Sequence, residues 1–240
     1  MRRFRPQLYP TLFTLAVVAL CASLGVWQVQ RLYWKRGLIE QRAAALAAPP
    51  AAVPRNAAAT EPLDLHRVTD RGVFLNDAEI EVHAIGPHGA AGFDVLTPLR
   101  EPAGRIVFVN RGFVPTELKR APGGPTGEVE IAGRLRLPPE AKPGWFIPEN
   151  RPGDNEWFWI DLPTMGVADG LANVAPFYVD ADATPNPGGW PKGGTALPEL
   201  PNDHLQYAIT WFSLAVAAIV IYVLSQREDR NKGDDRLPRT

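Results

Sequence analysis

Two stretches of the chain run apolar without a charge, and between them polar and apolar positions alternate. Residues 7–30 carry no charged side chain, and residues 12–26 are almost wholly apolar. A helix of about 20 apolar residues, rising 1.5 Å each, crosses a bilayer core of ~30 Å. Tyr9 and Trp27 stand at the two ends of this run, where interfacial aromatics are expected. Residues 205–224 repeat the pattern, with Gln206, Tyr207, Thr210 and Ser213 as polar interruptions. Each stretch therefore predicts a spanning helix.

The middle of the chain has a period of two. Residues 66–74, 79–85, 93–99, 105–114, 129–137, 157–162 and 176–180 read as strands. Each is short, bounded by Gly, Pro, Asn or Asp, and rich in Val, Ile and aromatics. Such spacing predicts an antiparallel sheet or barrel, and residues 163–171 suit one short helix. The fold expected is thus a membrane protein, with two transmembrane α-helices flanking a mostly antiparallel β, barrel- or sheet-like (α+β) extracytoplasmic domain.

The segments expected are a cytoplasmic N-tail (1–8), a first transmembrane helix (9–30), and a helix extension with an Ala/Pro linker (31–60). The β domain (61–183), a Pro/Gly-rich connector (184–203), the second transmembrane helix (204–225) and a cytoplasmic C-tail (226–240) follow. Pro49 and Pro50 end the helical extension, because proline lacks the amide a helix needs.

A cleaved signal peptide competes for the first span, since Met-Arg-Arg before an apolar stretch is how one begins. The apolar run continues through Trp27, which favours an uncleaved helix. Basic residues set the orientation. Arg227, Arg230, Lys232, Arg236 and Arg239 follow the second span, whereas Lys192 alone precedes it, so the tail is expected in the cytoplasm. Two spans bring the N-terminus to the same side, in keeping with Arg2, Arg3 and Arg5. Arg31, Lys35, Arg36 and Arg42 then lie on the outer side and run against the rule.

Composition narrows the chemistry. A net charge of -1 in 240 residues gives no support to nucleic-acid binding. The single cysteine, Cys21, lies inside the first apolar run, so the β domain has neither a disulfide staple nor a thiolate metal site. His66, His83 and His88 show no metal-ligand spacing and read as polar surface groups. Gly86 and Pro87, between the last two, predict a turn. Gly123 and Gly124 lie between prolines and suit a turn better than a phosphate cradle. Asp154, Glu156 and Asp161 around Trp157, Phe158 and Trp159 read as the solvated face of a strand. No nucleophile elbow, nucleotide loop or metalloprotease motif occurs, and no catalytic constellation emerges.

The two helix mouths carry the sharper signal. Trp27, Arg31 and Trp34 recur at i, i+4 and i+7, on one helical face. His204, Tyr207, Ala208 and Trp211 stand at the matching depth of the second span. Ala19 with Ser23, and Cys21 with Gly25, place small residues four apart, which permits close helix packing. His204 has two readings: an interfacial polar residue, or an axial ligand of haem iron between aromatic walls, with Arg31 available to a propionate.

At these positions the sequence resembles a known family. Gly25-x-Trp27-Gln28-x-x-Arg31-x-x-Trp34-Lys35, Asn110-Arg111-Gly112-Phe113-Val114-Pro115 and Asn202-x-His204-Leu205-Gln206-Tyr207-Ala208-x-Thr210-Trp211-Phe212 resemble the signature blocks of the Surfeit-locus family. Its members are cytochrome c oxidase assembly proteins of bacterial cytoplasmic and mitochondrial inner membranes. The resemblance implies a non-enzymatic chaperone that holds haem a as transient cargo, with His204 on the iron, and helps insert it into the oxidase's catalytic subunit. Trp27, Arg31, Trp34, Tyr207 and Trp211 would bound the site. The partners implied are that subunit, the haem a synthesis machinery and the lipid bilayer. The location expected is a bacterial cytoplasmic (inner) membrane, with both termini cytoplasmic and the central domain periplasmic. Two rivals stay open: a haem-independent scaffold stabilising an oxidase assembly intermediate, and an enzyme of haem a biosynthesis.

Overall fold

The computed structural model describes residues 3–4, 6–55, 60–118, 124–194, 197 and 199–228. Three α-helices occur among them: α1 (Leu8–Ala47), α2 (Leu162–Ala168) and α3 (His204–Ser225). The strands are β1 (Arg3–Phe4), β2 (Ala51–Ala52), β3 (Arg67–Phe74), β4 (Ile80–Ile85), β5 (Ala91–Arg100), β6 (Ile106–Pro115), β7 (Glu128–Arg136), β8 (Val174–Ala181) and β9 (Arg227–Glu228). The chain divides into two units, one formed by Met1–Gln41 with Glu199–Thr240 and the other by Arg42–Pro198.

In the first unit, α1 and α3 are both long and apolar enough to cross a membrane. Only 17% and 11% of their most apolar windows are buried, whereas a core helix of a water-soluble protein would hide most of that surface. The helix starting at residue 8 is a single rod of 40 residues, and the basic cluster Arg31, Lys35 and Arg36 forms its continuous extension. The helices run antiparallel. Near residue 8 the β1–β9 pairing joins Phe4 to Arg227, Gln226 accepts from the Gln7 amide at 3.0 Å, and the Thr11 and Tyr222 hydroxyls meet at 2.5 Å. The basic residues Arg2, Arg5, Arg230, Lys232, Arg236 and Arg239 lie outside the described residues.

In the second unit, seven strands pair in the order β2-β3-β7-β8-β6-β5-β4. An extra pairing, Val73 with Arg100 and Phe74 with Leu99, joins β3 to β5. That contact closes β3, β7, β8, β6 and β5 into a small barrel, with β2 and β4 attached at its edges. One side of the strands fills the interior with Val68, Leu99, Val107, Val109, Leu135, Phe177 and Val179. On the other side Ile80, Leu96, Phe108 and Tyr178 meet Trp157, Leu162 and Met165. Both faces of β6 are therefore covered, which is why Ile106-Val107-Phe108-Val109 is an unbroken apolar run rather than an alternation.

Three features depart from the pattern read along the chain. The sheet is mixed, because β2 lies parallel to β3 and β8 parallel to β6. β8 runs antiparallel to β7, the strand that precedes α2, and enters between β7 and β6, so that it lies parallel to β6. The Ala/Pro linker is partly docked: β2 pairs with β3, and Val53 enters the core.

Residues 157–162 are not a strand. Their backbone touches β4 at one bridge, Val82 with Trp157, and Asn150 instead takes up the Phe158 and Trp159 amides through Oδ1 at 2.8 and 3.3 Å. Trp157 is buried to 1% exposure, and Asp161 caps α2 by accepting from the Thr164 amide and hydroxyl. What looked like a strand with a solvated acidic face is a side-chain-held loop and a helix cap.

The 86–87 turn forms as a hairpin between β4 and β5, with Gly86 donating to the Ala90 carbonyl at 2.8 Å. His83 is exposed yet stacks on Phe158, rings 4.8 Å apart and nearly parallel, so it packs as an aromatic as well as facing water. Gly123 lies outside the described residues.

Candidate functional site

Within the helix pair, burial repeats with the heptad spacing of a left-handed coiled coil. On α1, Cys21, Gly25, Gln28 and Leu32 are buried, in steps of four, three and four. On α3 the matching ridge is His204, Ala208, Trp211 and Ala215, with Ala208 and Ala215 buried. Small residues let the rods approach closely: a Cβ added at Gly25 would stand 2.7 Å from the Phe212 ring. Of the two small-residue pairs read in the sequence, Cys21 with Gly25 lies in this seam, whereas Ser23 and Ala19 are exposed.

At the upper end of the seam the two helices meet through polar groups. His204 Nδ1 lies 2.7 Å from Gln28 Oε1, and the Asn202 amide donates to the Leu32 carbonyl at 3.4 Å. An amide oxygen accepts only, so Nδ1 is the donor in this contact, and in the neutral ring Nε2 then carries the lone pair. No described residue hydrogen-bonds Nε2. The Trp27 ring stands edge-on to the imidazole, with centroids 6.5 Å apart.

The residues read as a possible haem site are thus brought to one end of the helix pair, but not as an enclosed pocket. Trp27, Trp34 and Tyr207 keep 52%, 49% and 55% of their surface exposed. Arg31 is exposed as well and stacks over the Trp34 ring at 3.6 Å. Trp211 is half-buried along the seam. The face defined by Trp27, Arg31 and Trp34 therefore flanks the contact, and the residue that touches His204 is Gln28, one position away. Gln28 stood in the sequence motif, yet nothing marked it as a contact. A polar residue at a seam position of an apolar helix was the available signal.

The second motif, Asn110 to Pro115, occupies the β unit and acts as a clamp. Gly112 has a φ of +117°, and an added Cβ would lie 2.0 Å from the Lys192 carbonyl oxygen. This close approach lets residue 192 pair with Phe113, at 3.0 and 2.9 Å for the two amide bonds. Arg111, buried to 2% exposure, donates to Glu79 at 3.0 Å and to Asn186 Oδ1 through two nitrogens at 3.2 and 3.0 Å. Asn186 donates in turn to the Pro191 carbonyl at 2.6 Å. The connector, read along the sequence as a Pro/Gly-rich segment, is bound along β6 by Gly112 and Arg111 together. Gly112 thus leaves room for the backbone of Lys192 and Gly193.

Similarity to known proteins covers the same elements. Residues 15–216 match the SURF1 family, a span holding the helix seam, the clamp and His204. The chain belongs to the SURF1 family. A SURF1-like protein from Monosiga brevicollis is 36% identical over 251 residues, covering 96% of this chain and 92% of the relative. Surfeit locus protein 1 of Mus musculus is 33% identical over 229 residues, covering 88% and 73%. The Homo sapiens protein of that name is 32% identical over 220 residues, covering 83% and 72%. The three motifs that carried the resemblance fall on the α1 seam, the β6 clamp and the start of α3.

The β unit of this SURF1-family chain also holds a charged cluster. A cavity of about 180 Å³ is lined in part by Asp94, Asn110, Arg136, Tyr178 and Asp180. Asn110 donates to Asp180 at 3.0 Å, and Arg136 does the same to its other oxygen. Burial, then the neighbouring Asp180 charge, push the Asp94 carboxyl up to about 6, while Asn110 opposes the shift. Burial also raises Asp180, against the pull of Arg136.

The folded state therefore holds a proton on Asp94 that the unfolded chain releases near 3.8. That contribution is complete below about pH 4 and is lost as pH rises through 6. Asp94→Asn is expected to stabilise the β unit by about 2 kcal/mol at pH 7.5 and by almost nothing at pH 4. Urea unfolding of both proteins at the two pH values checks this; an equal difference at both would refute it.

Proposed function

We propose that this chain is a non-enzymatic membrane chaperone of cytochrome c oxidase assembly, which holds haem a at the His204 end of the α1–α3 pair and assists its insertion into the oxidase's catalytic subunit. The observation that carries the reading is the Gln28–His204 hydrogen bond, which presents an imidazole with its Nε2 free beside Trp27. Nitrogen of this kind ligates haem iron, flat aromatic rings suit the macrocycle, and the Arg31 guanidinium suits a propionate.

The donor set fits the group chemically, and its exposure fits a cargo. A porphyrin lying against Trp27, Trp34 and Tyr207, each about half exposed, stays reachable by a second protein. An enclosed pocket would bind more tightly and release more slowly.

The exposed apolar surfaces of α1 and α3 support membrane embedding, where hydrocarbon would cover them. The termini belong on the side of the basic tail, with the β unit on the other side. The relatives named above are eukaryotic, so they lend no support to a bacterial inner membrane. The membrane proposed is the one that houses the oxidase being built.

The test is haem content. His204→Ala is expected to purify from a haem-a-producing host with less than a tenth of the haem a of the wild type. Equal content would remove His204 as the ligand. A wild-type protein without any Soret band would favour the haem-independent scaffold, and conversion of haem o to haem a by the purified chain would restore the enzyme.

A further inference from the structure

Gln28 has no reason to be polar if it only packs helices. Its neighbours on the buried ridge of α1 are Cys21, Gly25 and Leu32, and Gln28 itself is buried to 9% exposure. An amide in such a seam costs free energy unless it is hydrogen-bonded. Its side-chain oxygen meets a single group, the Nδ1 of His204, at 2.7 Å. The imidazole is held from two other directions: Trp27 stands edge-on at 6.5 Å, and the Asn202–Leu32 bond anchors the chain two residues ahead. These contacts orient the ring, and with Nδ1 donating to Gln28 the neutral imidazole has Nε2 as its available nitrogen.

We infer that Gln28 is a positioning residue for the haem chaperone site: by accepting the Nδ1 hydrogen of His204 it directs Nε2 to the iron and sets the electron-donating strength of that ligand. This inference rests on the proposed reading of His204 and goes beyond it, to a residue that touches no haem. A histidine bound to metal through one nitrogen commonly donates from the other to an oxygen, which fixes the ring and raises its basicity. Here the acceptor comes from the opposite helix, so α1–α3 pairing and ligand strength become one property. Separation of the rods at this end would free the ring and weaken its hold on the cargo.

The rival role for Gln28 is adhesion between helices alone, and spectroscopy separates the two. Full-length wild type, Gln28→Leu, Gln28→Glu and His204→Ala are purified in detergent and titrated with hemin. The iron–histidine stretching frequency of the ferrous form and the midpoint potential are then recorded. Gln28→Leu is expected to bind 10- to 100-fold more weakly, with a lower stretching frequency and a higher potential. Gln28→Glu, a stronger acceptor of similar shape, should shift both in the opposite direction.

The inference is overturned if Gln28→Leu and Gln28→Glu both keep the wild-type frequency and potential while His204→Ala loses axial ligation. In that outcome the haem reading stands and Gln28 is only adhesive. If His204→Ala shows the wild-type spectrum, both claims fall together. Should Gln28→Leu not assemble, Gln28→Glu carries the test, and an unchanged frequency there overturns the inference equally.

Discussion

Replacing Gly112 with valine is expected to destabilise the β unit by about 4 kcal/mol and to release the connector from β6. Two costs add. The backbone φ of +117° lies where an L side chain is strained, most of all a β-branched one, at about 1–2 kcal/mol. The new Cβ would also sit 2.0 Å from the Lys192 carbonyl oxygen and 2.4 Å from the Gly193 nitrogen. Both obstacles are backbone atoms, so no rotamer relieves them and the pairing of Phe113 with Lys192 has to open. Urea unfolding followed by tryptophan fluorescence should show the loss, since Trp190 packs beside Phe93, Val95 and Val114. Limited proteolysis should cut the variant within residues 184–194 and spare the wild type. An unchanged midpoint with an intact connector would refute the clamp.

Arg111→Ala should have an effect of similar size for a different reason. The guanidinium is buried, and burial lowers its pKa against the opposing influence of Glu79. Its removal leaves the Glu79 carboxylate with the Thr97 hydroxyl alone and deprives Asn186 Oδ1 of two donors. Breaking one side of a buried charge pair typically costs about 3–5 kcal/mol. Lysine would not restore it, because one ammonium cannot reproduce a fork that serves Glu79 and Asn186 together. The Gly112→Val/Arg111→Ala double variant should lose less than the sum, since both changes free the same segment. Full additivity in chemical unfolding would show two independent sites.

Much of the β unit was legible along the chain. Six of the seven runs of alternating residues are strands, at 66–74, 79–85, 93–99, 105–114, 129–137 and 176–180 to within two residues at either end. Alternation works in β3 and β7, where one face meets a core, whereas β5 and β6 are covered on both faces and are marked by β-branched and aromatic runs between turn residues. It misleads at 157–162, where Trp157 is buried like a strand residue but Asn150 supplies the hydrogen bonds a neighbouring strand would have made. Periodicity reports which side chains are covered and is silent on what covers them.

The candidate site divides the same way. That Trp27, Arg31 and Trp34 share a face follows from helical geometry alone. That this face flanks the helix contact, with Gln28 in the contact itself, depends on the rotation of α1 against α3. The family motifs pointed to the right segments, but Gly112 and Arg111 read as the end of a strand, because the connector residues that explain them, Asn186 and Lys192, lie 75 or more residues away.

By itself the sequence determined the two apolar rods, the strands and turns between them, the absence of a disulfide framework, and the family. These are properties of local composition and short-range period. Tertiary structure alone decided the parallel seating of β8 on β6, the barrel closure through β3 and β5, the clamped connector and the Gln28–His204 bond. Each of these joins residues distant in sequence, through contacts whose partners no local pattern encodes, since many pairings would satisfy the same alternation and close packing selects one.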